Sequence, residues 1–173
     1  RTLSLKTWLI LILLSLKSLS YSQVKTGMDT LFDNYPHQYL QGKKIGLITN
    51  HTALNKGMKT SLSLLLENQE TYKYKIIALF GPEHGIDGSG YAYGWEKEGT
   101  KYRQEEGTIP IYGLHASTKR PTKKMLEGIN LLIFDIQDIG ARHYTYATTL
   151  FYAMEEAAKY KIPILVTDRP NPI

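Results

Sequence analysis

The sequence predicts an α/β fold with a Rossmann-like, doubly wound and mostly parallel sheet. Three observations predict it: short apolar runs recur along the chain, helix-like segments alternate with them, and most of the runs are apolar almost without interruption. A strand that is apolar at nearly every position is buried on both faces, as in a parallel sheet covered by helices on each side. Alternating strands and helices connect through right-handed crossovers and form a doubly wound sheet.

The first segment, residues 1–22, is predicted to be a secretory signal peptide. Basic residues precede the apolar run Trp8–Leu16, and small residues follow it up to a plausible cleavage point after Ser22. The run is shorter than the roughly 20 residues that span a bilayer, and an uncleaved membrane anchor is the alternative. We expect an exported protein, periplasmic or extracellular, whose domain occupies residues 23–173 without a stable membrane span after cleavage.

The composition argues against several classes of function. Without Arg1, Lys6 and Lys17 of the first segment, 18 basic and 16 acidic residues remain, a net charge of +2. Because no basic stripe is left, no nucleic-acid partner is expected. The chain has no cysteine, which excludes disulfides, thiolate metal sites and thiol catalysis. Its 173 residues, 42% of them hydrophobic, suffice for one domain of medium size.

Five runs are predicted to be strands. Four of them are nearly continuous in apolar residues, at 45–49, 75–80, 131–136 and 162–167. The fifth, 109–112, contains Pro110, whose backbone nitrogen cannot donate a hydrogen bond, and this favours an edge position.

Three segments between these strands are predicted to be helices, at 58–68, 122–128 and 145–159. The last helix has apolar residues at helical spacing, which are expected to face the core: Leu150, Phe151, Met154, Ala157 and Ala158. Its opposite face is expected to be polar and exposed, with Glu155, Glu156 and Lys159.

The segment from Gly85 to Gly107 shows neither the alternating pattern of a strand nor the apolar spacing of a helix, and it is predicted to be a long loop. Loops of this length in compact domains usually serve a binding or catalytic site. This segment carries four aromatic residues, which either bind the C–H faces of sugars or pin the loop to the body: Tyr91, Tyr93, Trp95 and Tyr102.

Polar residues collect where the strands end. In open parallel sheets, ligands bind outside the carboxyl ends of the strands. Four of the predicted strands are followed by polar segments, at 50–52, 81–85, 137–146 and 168–171. We therefore expect these four segments to meet in a single cleft along one rim of the sheet.

Glu83 is the first candidate for a catalytic group. It closely follows an apolar strand, and a carboxyl group at the edge of an apolar core is disfavoured in its charged form, which suits general acid chemistry. Asp138 and Asp168 are candidates for the second carboxylate that glycoside hydrolysis usually requires. Asp135 lies inside its strand and is expected to fasten neighbouring loops. A helix cap, a turn or an ion pair is the structural alternative for each of these carboxylates.

The other polar residues of these segments are expected to bind a ligand: Asn50, His51, His84, Gln137, Arg142, Tyr144, Arg169 and Asn171. Arg142 and Arg169 suit bidentate contacts to a ligand carboxylate, with salt bridges to the aspartates as the alternative. His51 and His84 could instead ligate a metal, but no metal-binding His-x-x-x-His or His-Glu-x-x-His spacing occurs. No metal is therefore expected.

Four motifs resemble the exo-β-N-acetylmuramidases, which are glycoside hydrolase family 171, formerly an uncharacterised domain family. In chain order they are GLITNHT at 46–52, FGPEHG at 80–85, FDIQDIGAR at 134–142 with YTY at 144–146, and DRPNP at 168–172. The resemblance implies a Rossmann-like N-terminal domain and a C-terminal domain that is absent from this chain. It also implies release of N-acetylmuramic acid from the non-reducing end of peptidoglycan fragments such as the MurNAc–GlcNAc disaccharide.

The family's proposed catalytic glutamate falls on Glu83, which would act as acid/base without a cofactor. We further expect Arg142 or Arg169 to receive the lactyl carboxylate of muramic acid. Two departures from the family pattern lie near this site: Asp87 replaces an expected basic residue, and the string at 112–115 ends in His115.

Two other functions stay open at this stage. One is a metal-dependent hydrolase that uses His51, His84 and Asp168. The other is a non-catalytic muropeptide-binding module.

Overall fold

The computed structural model describes residues 24–89, 101–104 and 107–173. The predicted signal peptide and three of the four loop aromatics, Tyr91, Tyr93 and Trp95, lie outside the described residues. No helix within these ranges is long and apolar enough to cross a membrane.

The described strands form one sheet. They are β1 (Lys44–Thr49), β2 (Lys75–Gly81), β3 (Lys101–Gln104), β4 (Gly107–Gly113), β5 (Leu131–Asp135) and β6 (Ile164–Val166). Their order across the sheet is β3-β4-β2-β1-β5-β6. All neighbours are parallel except β3, which runs antiparallel to β4 at one edge. The parallel strands follow the doubly wound order of Rossmann-like sheets, with the switch point between β1 and β5. The predicted fold class is confirmed.

The described helices lie between these strands or precede them. They are α1 (Gly27–Asn34), α2 (Pro36–Leu40), α3 (Ser61–Glu67), α4 (Gln69–Tyr72) and α5 (Tyr146–Lys159). Helices α1 and α2 were not predicted. Thr26 begins α1 with a capping box, in which the Thr26 side chain accepts from the Asp29 backbone and the Asp29 side chain accepts from the Thr26 backbone. This Thr-x-x-Asp spacing is the signal in the sequence that could have located α1.

The core has two layers, one on each face of the sheet. Alternate residues of β1 supply both: Ile45 and Leu47 face the layer that contains Met28 of α1 and Leu65 of α3. Ile48 faces the other layer, which contains Ala153 of α5. Both faces of β1 are therefore buried, as its continuous apolar sequence predicts.

Two predictions about elements are wrong. The segment 122–128 forms successive turns instead of a helix, because Pro121 and Gly128 leave space for little more than one helical turn and such short helices are marginal. Strand β4 does not lie at the sheet edge, since β3 pairs with its outer side. Pro110 is nevertheless accommodated, because the pairing of β4 with β2 begins one residue later, at Ile111.

The buried face of α5 differs from the predicted one. Phe151 and Met154 are 56% and 46% exposed, and Ala158 is exposed as well. The buried residues are Thr149, Ala153, Glu156 and Ala157. Glu156 is buried although it is acidic, since its carboxylate contacts Lys159 Nζ at 2.8 Å and Arg120 Nη1 at 3.4 Å. The buried face is thus shifted by one residue from the predicted face, a rotation of about 100° on an α-helix.

Candidate active site

The loops that follow β1, β5 and β6 are joined by hydrogen bonds through Gln137. Its backbone nitrogen donates to Thr52 Oγ1 over 3.2 Å. Its side-chain Nε2 donates to the backbone oxygen of Pro170 over 3.1 Å. Gln137, predicted to bind a ligand, therefore links three strand ends and has its amide nitrogen engaged by the protein.

Two glycines bring the loops into van der Waals contact. Gly88, with φ +76°, lies so close to His51 that a Cβ added at Gly88 would be 2.4 Å from the His51 ring. A Cβ added at Gly140, whose φ is +74°, would likewise lie 2.5 Å from Asn171 Nδ2. Side chains cannot replace hydrogen at either position without displacing a neighbour. Gly88 thus brings the loop after β2 against the segment 50–52, and Gly140 brings the segment 137–146 against 168–171.

Glu83 follows β2 at this rim, and each of its carboxyl oxygens has a different neighbour. Thr145 Oγ1 donates to Oε2 over 2.7 Å. His115 Nε2 lies 3.5 Å from Oε1. The Glu83 and His115 side chains are 22% and 19% exposed, so the pair is sheltered and still reachable from solvent.

Tyr146 connects Glu83 to the rest of the rim. Burial raises the pKa of Tyr146, the Glu83 carboxylate adds to that rise, and the Asn50 side chain opposes it. Asp138 contributes to the same rise. Because the pKa is raised above its ordinary value of 10, the phenol stays protonated at neutral pH and can donate a hydrogen bond.

Asn50 directly follows β1 and is only 3% exposed. Its Oδ1 accepts from the backbone nitrogen of Thr52 over 3.0 Å and from Thr52 Oγ1 over 2.6 Å. Its Nδ2 is buried and meets no described acceptor with good hydrogen-bond geometry, while the Asn50 side chain lies close enough to the Tyr146 hydroxyl to lower the pKa of that phenol. A buried donor of this kind is costly unless a ligand or water satisfies it, so Nδ2 is a candidate contact for substrate.

Arg169 is held inside the protein. Its guanidinium forms two hydrogen bonds with Asp135, Nε to Oδ1 at 2.5 Å and Nη2 to Oδ2 at 3.0 Å. Nη1 donates to the backbone oxygen of Leu54 over 2.7 Å, and Ser61 Oγ donates to the same Asp135 carboxylate. Of the two predicted roles for Arg169, this geometry favours the salt bridge, and Asp135 fastens loops as expected.

Arg142 and Tyr144 are exposed on the rim. Arg142 makes no ion pair within the residues that the structure describes. The Tyr144 ring centroid lies 5.2 Å from that of His143 and 6.4 Å from that of Tyr146, and the residue is 42% exposed. Arg142 is therefore the predicted cation that is available to an anionic ligand.

A cavity of about 240 Å³ lies between the ends of β5 and β6 and the start of α5. The predicted site residues among its lining are Asp138, Asp168, Arg169 and Asn171, and Tyr146 lines it as well. Asp138 Oδ1 accepts from the backbone nitrogen of Gly140 over 2.6 Å, and Asp168 Oδ1 accepts from the backbone nitrogen of Arg169 over 2.9 Å. Both carboxylates thus shape their loops and border the cavity.

The histidines do not form a metal site with the carboxylates in the described part of the chain. No group of three His, Asp or Glu residues there has an arrangement that could hold a metal ion. His84, with φ 68°, is exposed at the turn after Glu83. His51 packs against Gly88, beside Asp87, whose pKa is lowered chiefly by hydrogen bonds from Ser89.

Three residues of this site were missed in the sequence: His115, Thr145 and Tyr146. His115 follows the carboxyl end of β4 and was noted only as a departure from the family pattern. Thr145 and Tyr146 lie at the start of α5, within the polar segment 137–146, but neither was named as a site residue. Tyr102 packs against the core, next to Ile109, which favours the second of its two predicted roles, that of holding the loop on the body of the domain.

Comparison with known proteins gives consistent similarities. The family described as "Exo-beta-N-acetylmuramidase NamZ, N-terminal" matches residues 45–173. The peptidoglycan beta-N-acetylmuramidase NamZ of Bacillus subtilis (strain 168) is 47% identical over 150 residues, which are 87% of this chain and 34% of that protein. These similarities agree with the resemblance of the four motifs.

Two crystal structures of DUF1343 family proteins from Bacteroides fragilis NCTC 9343 have a similar fold. Their TM-scores are 0.72 and 0.62, at 37% and 30% sequence identity. Each comparison covers 87% of this chain, and 35% and 36% of the respective structures. The chain thus spans about a third of the length of the relatives that it matches.

Proposed function

Because the chain belongs to the family of the N-terminal region of the exo-β-N-acetylmuramidase NamZ, we propose that the complete natural protein is a glycoside hydrolase that acts on peptidoglycan fragments. It removes N-acetylmuramic acid from the non-reducing end of fragments of the MurNAc–GlcNAc type. The named activity of the Bacillus subtilis relative supports this proposal.

The observation that carries the proposal is the position of Glu83. The carboxyl group stands at the carboxyl end of β2, where open parallel sheets bind ligands, and it is held by Thr145 while its side chain keeps 22% exposure. A fixed, accessible carboxyl group at this rim suits a general acid that protonates the departing sugar and then acts as a base toward water.

The second carboxylate is proposed to be Asp138 or Asp168. Both border the 240 Å³ cavity, together with Tyr146 and Asn171. Tyr146 lines the same cavity, and the charges of Glu83 and Asp138 both raise the pKa of its phenol, which supports a substrate position beside Tyr146. The proposed substrate contacts are Asn50, His51, His84, Gln137, Arg142, Tyr144 and Asn171. Arg169 is proposed to hold the rim together through Asp135 instead.

Hydrolysis of the MurNAc–GlcNAc disaccharide by the complete natural protein tests the proposal. Glu83→Gln is expected to abolish turnover while the protein still binds the substrate. Glu127→Gln, at an exposed position just before β5, is the matched control and should keep wild-type activity. Wild-type turnover by the Glu83 variant would refute the assignment of Glu83.

The same assay separates the other two functions. A metal-dependent hydrolase loses activity in EDTA, whereas the proposed enzyme keeps it. A non-catalytic muropeptide-binding module binds fragments without turnover in either the wild type or the Glu83 variant.

We also propose that the protein is exported after cleavage behind Ser22. This rests on the basic, apolar and small-residue layout of residues 1–22. Expression in a bacterial host, followed by N-terminal sequencing of the exported protein, should give a mature chain that begins at Gln23. A cytoplasmic product that retains residues 1–22 would contradict the proposal.

A further inference from the structure

Thr145 stands immediately before α5, in the N-cap position, where a threonine side chain usually accepts a hydrogen bond from the helix backbone. Here its side chain makes no such bond. The hydroxyl group instead donates to Oε2 of Glu83 over 2.7 Å, across 62 residues of sequence. The usual capping role is therefore replaced by a contact with the carboxyl group at the rim.

This contact makes the two oxygens of Glu83 different. Oε2 accepts the Thr145 hydroxyl, whereas Oε1 faces His115 Nε2 at 3.5 Å. In a protonated carboxyl group one oxygen carries the proton and the other keeps its acceptor capacity. Since Oε2 is engaged as an acceptor, the proton belongs on Oε1.

We propose that Thr145 is a positioning residue that fixes Glu83 with Oε1 as the proton-donating oxygen. This inference rests on the proposed function, because it concerns proton delivery to the leaving group of a glycoside. In that step the proton leaves Oε1 for the glycosidic oxygen, and the bond from the anomeric carbon to that oxygen breaks with its electron pair going to the oxygen. The departing sugar is released as a neutral alcohol, and Glu83 becomes a carboxylate.

The anomeric carbon then takes its new bond from a water oxygen, either directly or after a transient bond to the second carboxylate. The proton that water loses returns to a carboxylate, so that the overall reaction is hydrolysis. A loosely held Glu83 would still bind substrate but would protonate the leaving oxygen poorly, since proton transfer needs hydrogen-bond geometry.

The test compares two leaving groups in the complete natural protein. The MurNAc–GlcNAc disaccharide has a sugar alcohol as leaving group and needs a proton. The 4-nitrophenyl glycoside of N-acetylmuramic acid releases a stable phenolate and scarcely needs one. Thr145→Val is expected to lower kcat on the disaccharide by about 10–100-fold, with KM unchanged, and to leave kcat on the aryl glycoside nearly unchanged.

Two further variants control this result. Thr145→Ser keeps the hydroxyl group and should retain most of the disaccharide activity. Thr148→Val makes the same substitution at an exposed position on α5 and should match the wild type on both substrates. Should Thr145→Val fail to fold, as judged by its thermal unfolding midpoint, Thr145→Ala enters the same two-substrate comparison.

An equal loss on both substrates would reduce Thr145 to a structural role and overturn the inference, as would wild-type activity of the Val and Ala variants on the disaccharide. A wild-type protein that hydrolyses neither substrate would refute the proposed function itself. The wild-type assay thus separates the two failures.

Discussion

Arg169 and Asp135 form a buried ion pair with two hydrogen bonds, at 2.5 Å and 3.0 Å. The two side chains are 5% and 0% exposed. Since Asp135 ends β5, Arg169 follows β6 and the Arg169 guanidinium also reaches the backbone oxygen of Leu54, one side chain joins three segments of the rim. The position of the neighbouring Asp168 depends on this junction.

Arg169→Met is therefore expected to destabilise the protein. Removing one partner leaves the Asp135 carboxylate buried without its cation, which typically costs about 3–5 kcal/mol. Urea unfolding followed by circular dichroism measures the change. Arg142→Gln, at an exposed arginine, is the control and should unfold like the wild type. Equal unfolding midpoints for the two variants would contradict a structural role for Arg169.

Much of the fold was readable from the sequence because the central strands β1, β2 and β5 combine a short apolar run with burial on both faces. Helix α1 and strand β3 were not readable in this way. Strand β3 has only four residues and belongs to a stretch with no alternating pattern. The core face of α5 was misjudged because Glu156 is buried beside Lys159 of the same helix and Arg120, and the distant contact with Arg120 cannot be read from apolar spacing.

The rim of the site was predictable, whereas the partners within it were not. The polar residues after each strand end follow directly from the topology of a parallel sheet. The contact between Thr145 and Glu83 joins positions 62 residues apart, and nothing local to either residue signals it. The pairing of Arg169 with Asp135 is equally distant in sequence. Two arginines that looked equivalent in the sequence are thus placed differently by the fold, since Arg169 is buried and paired whereas Arg142 is exposed.

Because Tyr74 is buried, we expect the protein to lose stability at alkaline pH. Burial raises the pKa of Tyr74 well above its ordinary value of 10, and its hydroxyl donates to the backbone oxygen of Leu65 over 2.5 Å. Below pH 10 both the folded and unfolded states keep the proton, so this contribution to stability is fully present. Above pH 10 only the unfolded state loses the proton, and the free energy of unfolding falls by up to about 1.4 kcal/mol per pH unit.

Urea unfolding at several values between pH 8 and pH 11 measures this dependence. Tyr74→Phe should be less stable at pH 8, because it lacks the hydrogen bond to Leu65, and should show a weaker alkaline decline. Tyr160→Phe, at a position that is 40% exposed, should decline like the wild type. The same alkaline slope in Tyr74→Phe would rule out Tyr74 as its source.

We expect substitution of Asn50 to weaken substrate binding. Asn50→Asp keeps the oxygen that accepts two hydrogen bonds from Thr52 but replaces the buried Nδ2 donor with a second acceptor. Loss of one hydrogen bond to substrate is expected to raise KM by about 10-fold. Asn55→Asp is a matched control, because Asn55 Oδ1 also accepts two backbone hydrogen bonds. An unchanged KM in Asn50→Asp would show that Nδ2 does not contact the substrate.

We expect Arg142 to make the enzyme selective for substrates that carry the lactyl group of muramic acid. Since Arg169 is engaged by Asp135 and Arg142 is exposed on the rim, Arg142 is the arginine expected to receive the lactyl carboxylate. Hydrogen bonds to a charged group contribute about 1.5–3 kcal/mol. The ratio of kcat/KM for N-acetylmuramic acid and N-acetylglucosamine glycosides should therefore fall by about 10–100-fold in Arg142→Gln.

The ratio, rather than either rate alone, carries the argument, because a general loss of activity lowers both rates and leaves it constant. Arg142→Lys keeps a positive charge but cannot make the planar bidentate contact, so its ratio should lie between those of the wild type and Arg142→Gln. Lys124→Gln removes an exposed charge from the turns before β5 and should leave the ratio unchanged. If Arg142→Gln keeps the wild-type ratio, the lactyl carboxylate is bound by another group.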